Sequence, residues 1–263
     1  MCLALLAIGQ HPHYPFILAS NRDEFLARPT QALHIWPDEP EVVAGRDLAS
    51  DGSWLALNQQ YARLALVTNV RNLHTAHDQQ AGQRSRGLIV RDWVTTPTPS
   101  VQALYQLSQA TDTYAGFNLI AGYLSGKLFY CSNRHAQGVQ ILPEGIHGLS
   151  NASINTTWPK VLRGKRALQQ LVLETPERVS AAALFDLLTD TTVAMDRELP
   201  DTGVGLEKER WLSPLFITAN QHDYGTRCST VVLMDKAGYV QCIERSYTKG
   251  QAATQDREVL WST

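Results

Sequence analysis

A cysteine directly behind Met1 is the first residue in this chain whose type and position suggest chemistry. Removal of Met1, common when a small residue follows, would place the Cys2 thiol and a free α-amine on one residue. An α-amine titrates near about 7.7–8.0, so it can take the thiol proton near neutrality, and the thiolate is the attacking species for an amide or thioester carbonyl. Such a reaction also needs an acid to orient the base and N–H donors for the oxyanion. Asp23, within SNRDEF, is the candidate acid, and Asn69 and Asn151, each at the end of an apolar run, are the candidate donors. Asn21, Arg22 and Glu24 around Asp23, with Arg227 far along the chain, are candidate ligand contacts. No GxSxG occurs and the histidines lie mainly in loops, so no Ser-His-Asp arrangement competes.

The remaining reactive residues read as structural. Cys131, Cys228 and Cys242 are widely spaced in strand-like runs without a CxxC pair, which signals neither zinc nor a disulfide framework and fits a reducing compartment. His74 and His77 share a polar loop, and no metal ligand is expected there. Arg46 and Asp47 read as residues holding local structure, a role Arg227 also suits. The basic cluster from Lys160 to Arg166 reads as a solvated helix face.

The elements that must position these groups follow from periodicity and breakers. Cys2 to Ile8 and Phe16 to Ala19 form a hairpin around GQHPHYP that ends in SNRDEF, and GSWLALN pairs with ARLALVTN across QQY. Helical spacing runs from Gln83 to Val94 and again through PSVQALYQLSQA, with TTPTPS between them. GFNLIAGY and KLFYCSN return to strand. HGLSNASINTTWPKVL passes from a strand end into a helix with Thr156 or Thr157 as N-cap, Pro159 in the first turn, and an end near Leu173. That helix carries Trp158, Val161, Leu162, Leu168, Leu171 and Val172 on one side. A further helix spans Ser180 to Leu188, a polar loop Asp196 to Arg210, and CSTVVLMD and GYVQCIERSY close the chain. Hairpins with segregated helices predict an α+β layered fold with antiparallel sheets.

Composition narrows the partners. With 263 residues, 44% hydrophobic, and a net charge of -2, the chain can bury a full core and lacks the basic excess of a nucleic-acid or anionic-membrane surface. The apolar start is too short for a membrane span and has no basic leader, so a cytoplasmic chain beginning at Cys2 is expected. Nothing divides residues 1–263, and a single domain is expected.

SNRDEF, followed in order by AGRDL with DGSWLALN, LVTNVRN, HGLSN with TWPKVL, and YGTRCSTVVL, resembles the NRDE family, also called the transport and Golgi organisation protein 2 family. The resemblance runs nearly the whole chain. It implies intracellular haem trafficking, or the handling of a similar amphipathic ligand such as an acyl thioester. Haem would then be cargo, with no cofactor required, and the partners would include haem donor or acceptor proteins.

More remotely, the chain is similar to the N-terminal-nucleophile hydrolases that cleave penicillin V and bile-salt amides, whose fold is a four-layer αββα sandwich. That similarity implies Cys2 as nucleophile, Asp23 as acid, and Asn69 and Asn151 beside the scissile carbonyl. The alternative function is therefore hydrolysis of non-peptide C–N amide or thioester bonds. Ser20 stands where those hydrolases carry an arginine, and SPLFI lacks their later one.

Overall fold

Residues on successive positions of the first strands are apolar on both sides, and a computed structural model shows why. It describes residues 2–74, 83–135, 137–219, 223–248, 251–252 and 256–263. In chain order the strands are β1 (Cys2–Ile8), β2 (Phe16–Phe25), β3 (Thr30–Ile35), β4 (Val42–Asp47), β5 (Leu55–Asn58) and β6 (Arg63–Asn69). Helices α1 (Gly87–Thr95) and α2 (Val101–Ser108) lead to β7 (Phe117–Tyr123), β8 (Leu128–Ser132), β9 (Gln140–Ile141) and β10 (Gly145–Leu149). Then come α3 (Pro159–Glu174), α4 (Ala181–Leu188) and α5 (Leu206–Trp211), and finally β11 (Tyr224–Met234), β12 (Tyr239–Thr248), β13 (Gln251–Ala252) and β14 (Arg257–Ser262).

Among the described residues one antiparallel sheet runs β10-β1-β2-β11-β12, with β13 and β14 both on β12, and the other runs β3 to β9 in sequence order. Leu6, Leu18 and Val232 of the first sheet meet Leu57, Leu66 and Ile120 of the second in a central core. The alternate residues Leu5, Ile17 and Val231 pack outward on Val161, Leu168 and Phe185 of α3 and α4. On the far side Ala56, Ala65 and Leu119 pack on Ile89, Val90 and Leu104 of α1 and α2. The result is an α+β sandwich with helices on both outer faces, and burial of both strand faces accounts for the unbroken apolar run CLALLAI. No described helix is long and apolar enough to cross a membrane.

Several boundaries differ from the sequence expectation. The second strand does not end at Ala19: β2 runs on through SNRDEF as a central strand between β1 and β11, and Asn21, Arg22 and Asp23 are all buried. β3 and β14 went unread because their polar residues mask the alternation, and β4 because it is buried on both faces and so shows none. The first helix begins at Gly87, not Gln83. A Cβ on Gly52 would lie 2.4 Å from the Gly87 carbonyl carbon, so the glycine pair fixes where α1 can start. The N-cap of α3 is Trp158 rather than Thr156 or Thr157, although Pro159 does open the helix. Leu162 faces outward, and the expected loop from Asp196 to Arg210 contains most of α5.

Candidate functional site

Strand pairing brings the candidate residues to one end of the sandwich. Cys2 lies opposite Arg22 across β1 and β2, and Asp23 lies opposite Thr226 across β2 and β11. Asn69 closes β6 in the other sheet, and Asn151 follows β10. The two loops are laced together: Thr68 Oγ1 donates to the Ser150 carbonyl at 2.5 Å, the Arg71 N–H donates to the Asn151 carbonyl at 2.8 Å, and Ser150 Oγ donates to the Cys2 carbonyl at 3.0 Å.

A cavity of about 480 Å³ opens there, with Cys2, Asp23 and Asn69 in its wall. Four arginines line it: Arg22, Arg28, Arg84 and Arg86. Arg22 is held by stacking 4.0 Å from the Trp54 ring centroid and by donating to Thr30 Oγ1 at 3.0 Å. Arg28 pairs with Asp47 at 2.8 Å. A second cavity of about 450 Å³ shares Glu24, Phe25, Asn69 and Arg86 with the first, so the two form one cleft. Its own wall is largely apolar, with Val204, Trp211, Leu212 and Tyr224. Phe25 and Trp211 both meet Tyr224 edge to face, at ring centroid distances of 5.1 and 5.7 Å.

Cys2 is half-buried, whereas Cys131, Cys228 and Cys242 are buried, as expected. Burial raises the Cys2 thiol above its ordinary range; the Asp23 charge adds to this and Arg22 opposes it. Asp23 accepts from Thr226 Oγ1 at 2.7 Å, and its backbone carbonyl accepts from the Tyr224 hydroxyl at 3.0 Å. Burial pushes its carboxyl up, and Lys160 pulls it back down.

The two asparagines do different work. The Asn151 amide donates to both the backbone carbonyl and Oδ1 of Asn69, each at 3.0 Å, while Asn151 Oδ1 accepts from Ser150 Oγ at 3.1 Å. Both Asn151 N–H groups are thereby committed. Asn69, its Oδ1 turned to Asn151, presents its Nδ2 as the donor of the pair, with the amide orientation assigned from this network.

Asn21 and Arg227 line neither cavity. Asn21 donates to the carbonyls of Leu188 and Leu215, both at 2.9 Å, and so ties the end of α4 to the sheet. Arg227 sits at the register shift between β2 and β11, and its guanidinium donates to the carbonyls of Phe25 and Arg28. Glu24 lines both cavities. His74 is exposed and pairs with Asp201 at 3.1 Å; His77 lies outside the described residues. Among the described residues no group of His, Cys, Asp or Glu is arranged to hold a metal ion.

Two charged residues were not anticipated. Lys160, expected on a solvated face, is 2% exposed, because it falls in phase with Gly164, Leu168 and Val172 on the buried stripe of α3. That four-residue spacing was the available signal. Arg71, in LVTNVRN, is buried in a 2.7 Å ion pair with Glu209 of α5 and stacks on Trp158, 4.7 Å from its centroid.

Fold and site together define an α+β sandwich with a thiol-bearing cleft, charged at one end and aromatic at the other, where its two sheets meet. The chain belongs to the Transport and Golgi organisation 2 family, whose model matches residues 1–249. It is 33% identical over 269 residues to the human Transport and Golgi organization protein 2 homolog, covering 94% of this chain and 93% of that protein. The bovine homolog is 32% identical over 265 residues, and the Drosophila melanogaster Transport and Golgi organization protein 2 is 27% identical over 268, with the same coverage in both cases.

Proposed function

We propose that this cleft binds haem or a similar amphipathic acid, such as an acyl thioester, and hands it on. One observation carries the reading: a cavity rich in guanidinium groups continues into an apolar, aromatic one. Arginine matches carboxylate or phosphate with paired donors, while the wall of Phe25, Trp211 and Tyr224 suits a chain or a planar ring. Neither wall includes a histidine among the described residues, and a carrier that must release its cargo has no need of strong axial ligation. The names of the relatives speak of transport, which agrees with a carrier. Haemin and palmitoyl-coenzyme A titrated separately into the purified protein should each give a saturable signal. Arg22→Ala should weaken binding about tenfold. Absence of saturable binding by either ligand would overturn the carrier reading.

A second reading rests on the grip of Asn151 on Asn69. On an N-terminal-nucleophile hydrolase scaffold with Met1 removed, the Cys2 α-amine takes the thiol proton and the sulfur attacks the acyl carbon. Asn69 Nδ2–H donates to the oxyanion, and the leaving amine or thiol departs with the proton from the α-ammonium. Water then hydrolyses the acyl-enzyme thioester and restores the thiol. Intact mass establishes whether Met1 is gone, and Met1-free protein assayed against Cys2→Ala on acyl amides and thioesters tests the chemistry. Equal turnover by the two proteins would remove this reading and leave the carrier.

A further inference from the structure

Neither the carrier nor the hydrolase reading uses Lys160, yet its burial requires a reason. Its Nζ is shielded from solvent and has no hydrogen-bond partner among the described residues. An ammonium taken out of water without hydrogen bonds is costly, and such groups concentrate at functional sites.

Lys160 lines neither cavity; α3 sets it behind the sheet, on the helix-facing side of β1. Lys160 lies in the first turn of α3, beside Val161, which packs in one core cluster with Leu3, the neighbour of Cys2. Gly164, one turn on, permits the close approach: a Cβ there would lie 2.8 Å from the methyl carbons of Leu5 on β1. Trp158 ahead of the helix carries Arg71, whose backbone N–H holds the Asn151 carbonyl.

Charged and titratable groups on several elements act on the Lys160 charge: Asp23 on β2, Arg71 after β6, Cys2 on β1 and Glu209 on α5, while Tyr224 of β11 feels Asp23, Cys2 and Arg71. The Glu209 carboxylate is already matched by Arg71 at 2.7 Å, and it also accepts from the Thr202 N–H at 2.9 Å. The other carboxylate acting on Lys160 is Asp23, and the influence is mutual.

We infer that Lys160 is a positioning residue of the site, a buried counter-ion that offsets the Asp23 carboxylate so that a thiolate can form on Cys2. The inference rests on the reading of Cys2 as a reactive thiol. Arg22 supplies positive charge from the cleft side, and Lys160 supplies it from behind the sheet. Burial lowers the Lys160 ammonium to about 8, so its charge is present at neutral pH and is lost just above it. If this charge supports the thiolate, thiolate formation should spread over a wider pH range than one proton gives.

The test is the rate of Cys2 alkylation by iodoacetamide, followed by peptide mass spectrometry from pH 6 to 10 in wild type, Lys160→Met and Lys160→Arg. Lys160→Met should label Cys2 at least tenfold more slowly at pH 7 and follow a steeper, single-proton curve. Lys160→Arg should stay within about threefold of wild type, because the charge is kept. Circular dichroism reports whether each variant is folded. If Lys160→Met does not fold, the shape of the wild-type curve decides: a single-proton profile overturns the inference. Superimposable profiles for folded Lys160→Met and wild type overturn it as well, while leaving Cys2 reactive. A Cys2 that no reagent labels at any pH removes the thiol reading and the inference with it.

Discussion

Lys160 shows at the scale of one residue how a site can be held against stability. A shift from the ordinary 10.5 to about 8 corresponds to about 3 kcal/mol of preference for the neutral form. The unfolded chain holds this proton more tightly, so the penalty is full below about pH 8 and fades as pH rises toward 10.5. Lys160→Met should therefore be more stable than wild type at pH 7, by about 1–3 kcal/mol in urea unfolding, and the gap should narrow above pH 8. A less stable variant would show that Lys160 is structural. Asp23 is also penalised in its charged form, but with the opposite pH dependence. Burial raises its carboxyl, so the native state favours the protonated form, a preference lost as pH rises through the folded value. Asp23→Asn should hold or raise the melting temperature at pH 7 while impairing ligand binding. Asn151→Ala should cost about 1–3 kcal/mol and reduce binding or turnover as much as Asn69→Ala, because it frees the side chain that Asn151 grips. The residues around Cys2 were legible in the sequence because position, charge and apolar flanks mark them. Lys160 was not, because a lysine in a basic cluster reads as solvated until its phase with Gly164 and Leu168 is followed.

At the scale of elements, the cleft depends on where short segments are pinned. Residues 83–87 line it from just before α1, and α1 is seated by the contact of Gly87 with Gly52. Gly52→Ala would push backbone against backbone, so it should lower stability by about 1–3 kcal/mol and weaken ligand binding, whereas Gly126→Ala, in the β7 to β8 turn and meeting only Tyr123 Cβ at 3.3 Å, should perturb stability and binding far less. Circular dichroism melts with ligand titration on both variants would separate these outcomes. The apolar end of the cleft is built by α5, held down through the buried Arg71–Glu209 pair. Neither was evident in sequence: six helical residues rich in charge read as loop, and Arg71 gains its partner only in three dimensions. Asn21 and Arg227 mark the converse. Their polarity suggested ligand contact, yet Asn21 ties down backbone carbonyls of Leu188 and Leu215, and Arg227 those around the β2 to β3 turn.

The whole molecule buries both faces of both sheets, which is why long apolar strands and separate amphipathic helices were readable in advance. The edge strands β3 and β14 were not, because nearly all of their residues are partly or wholly exposed. The cleft gathers residues from both sheets and from the segments before α1 and around α5, so an occupant should link parts of the chain that are far apart in sequence. Hydrogen exchange measured with and without palmitoyl-coenzyme A tests this most directly. Slowed exchange should appear together at residues 22–25, 84–87 and 204–212. Saturable binding with protection confined to other surfaces, and none at these three segments, would contradict the assignment of the cleft.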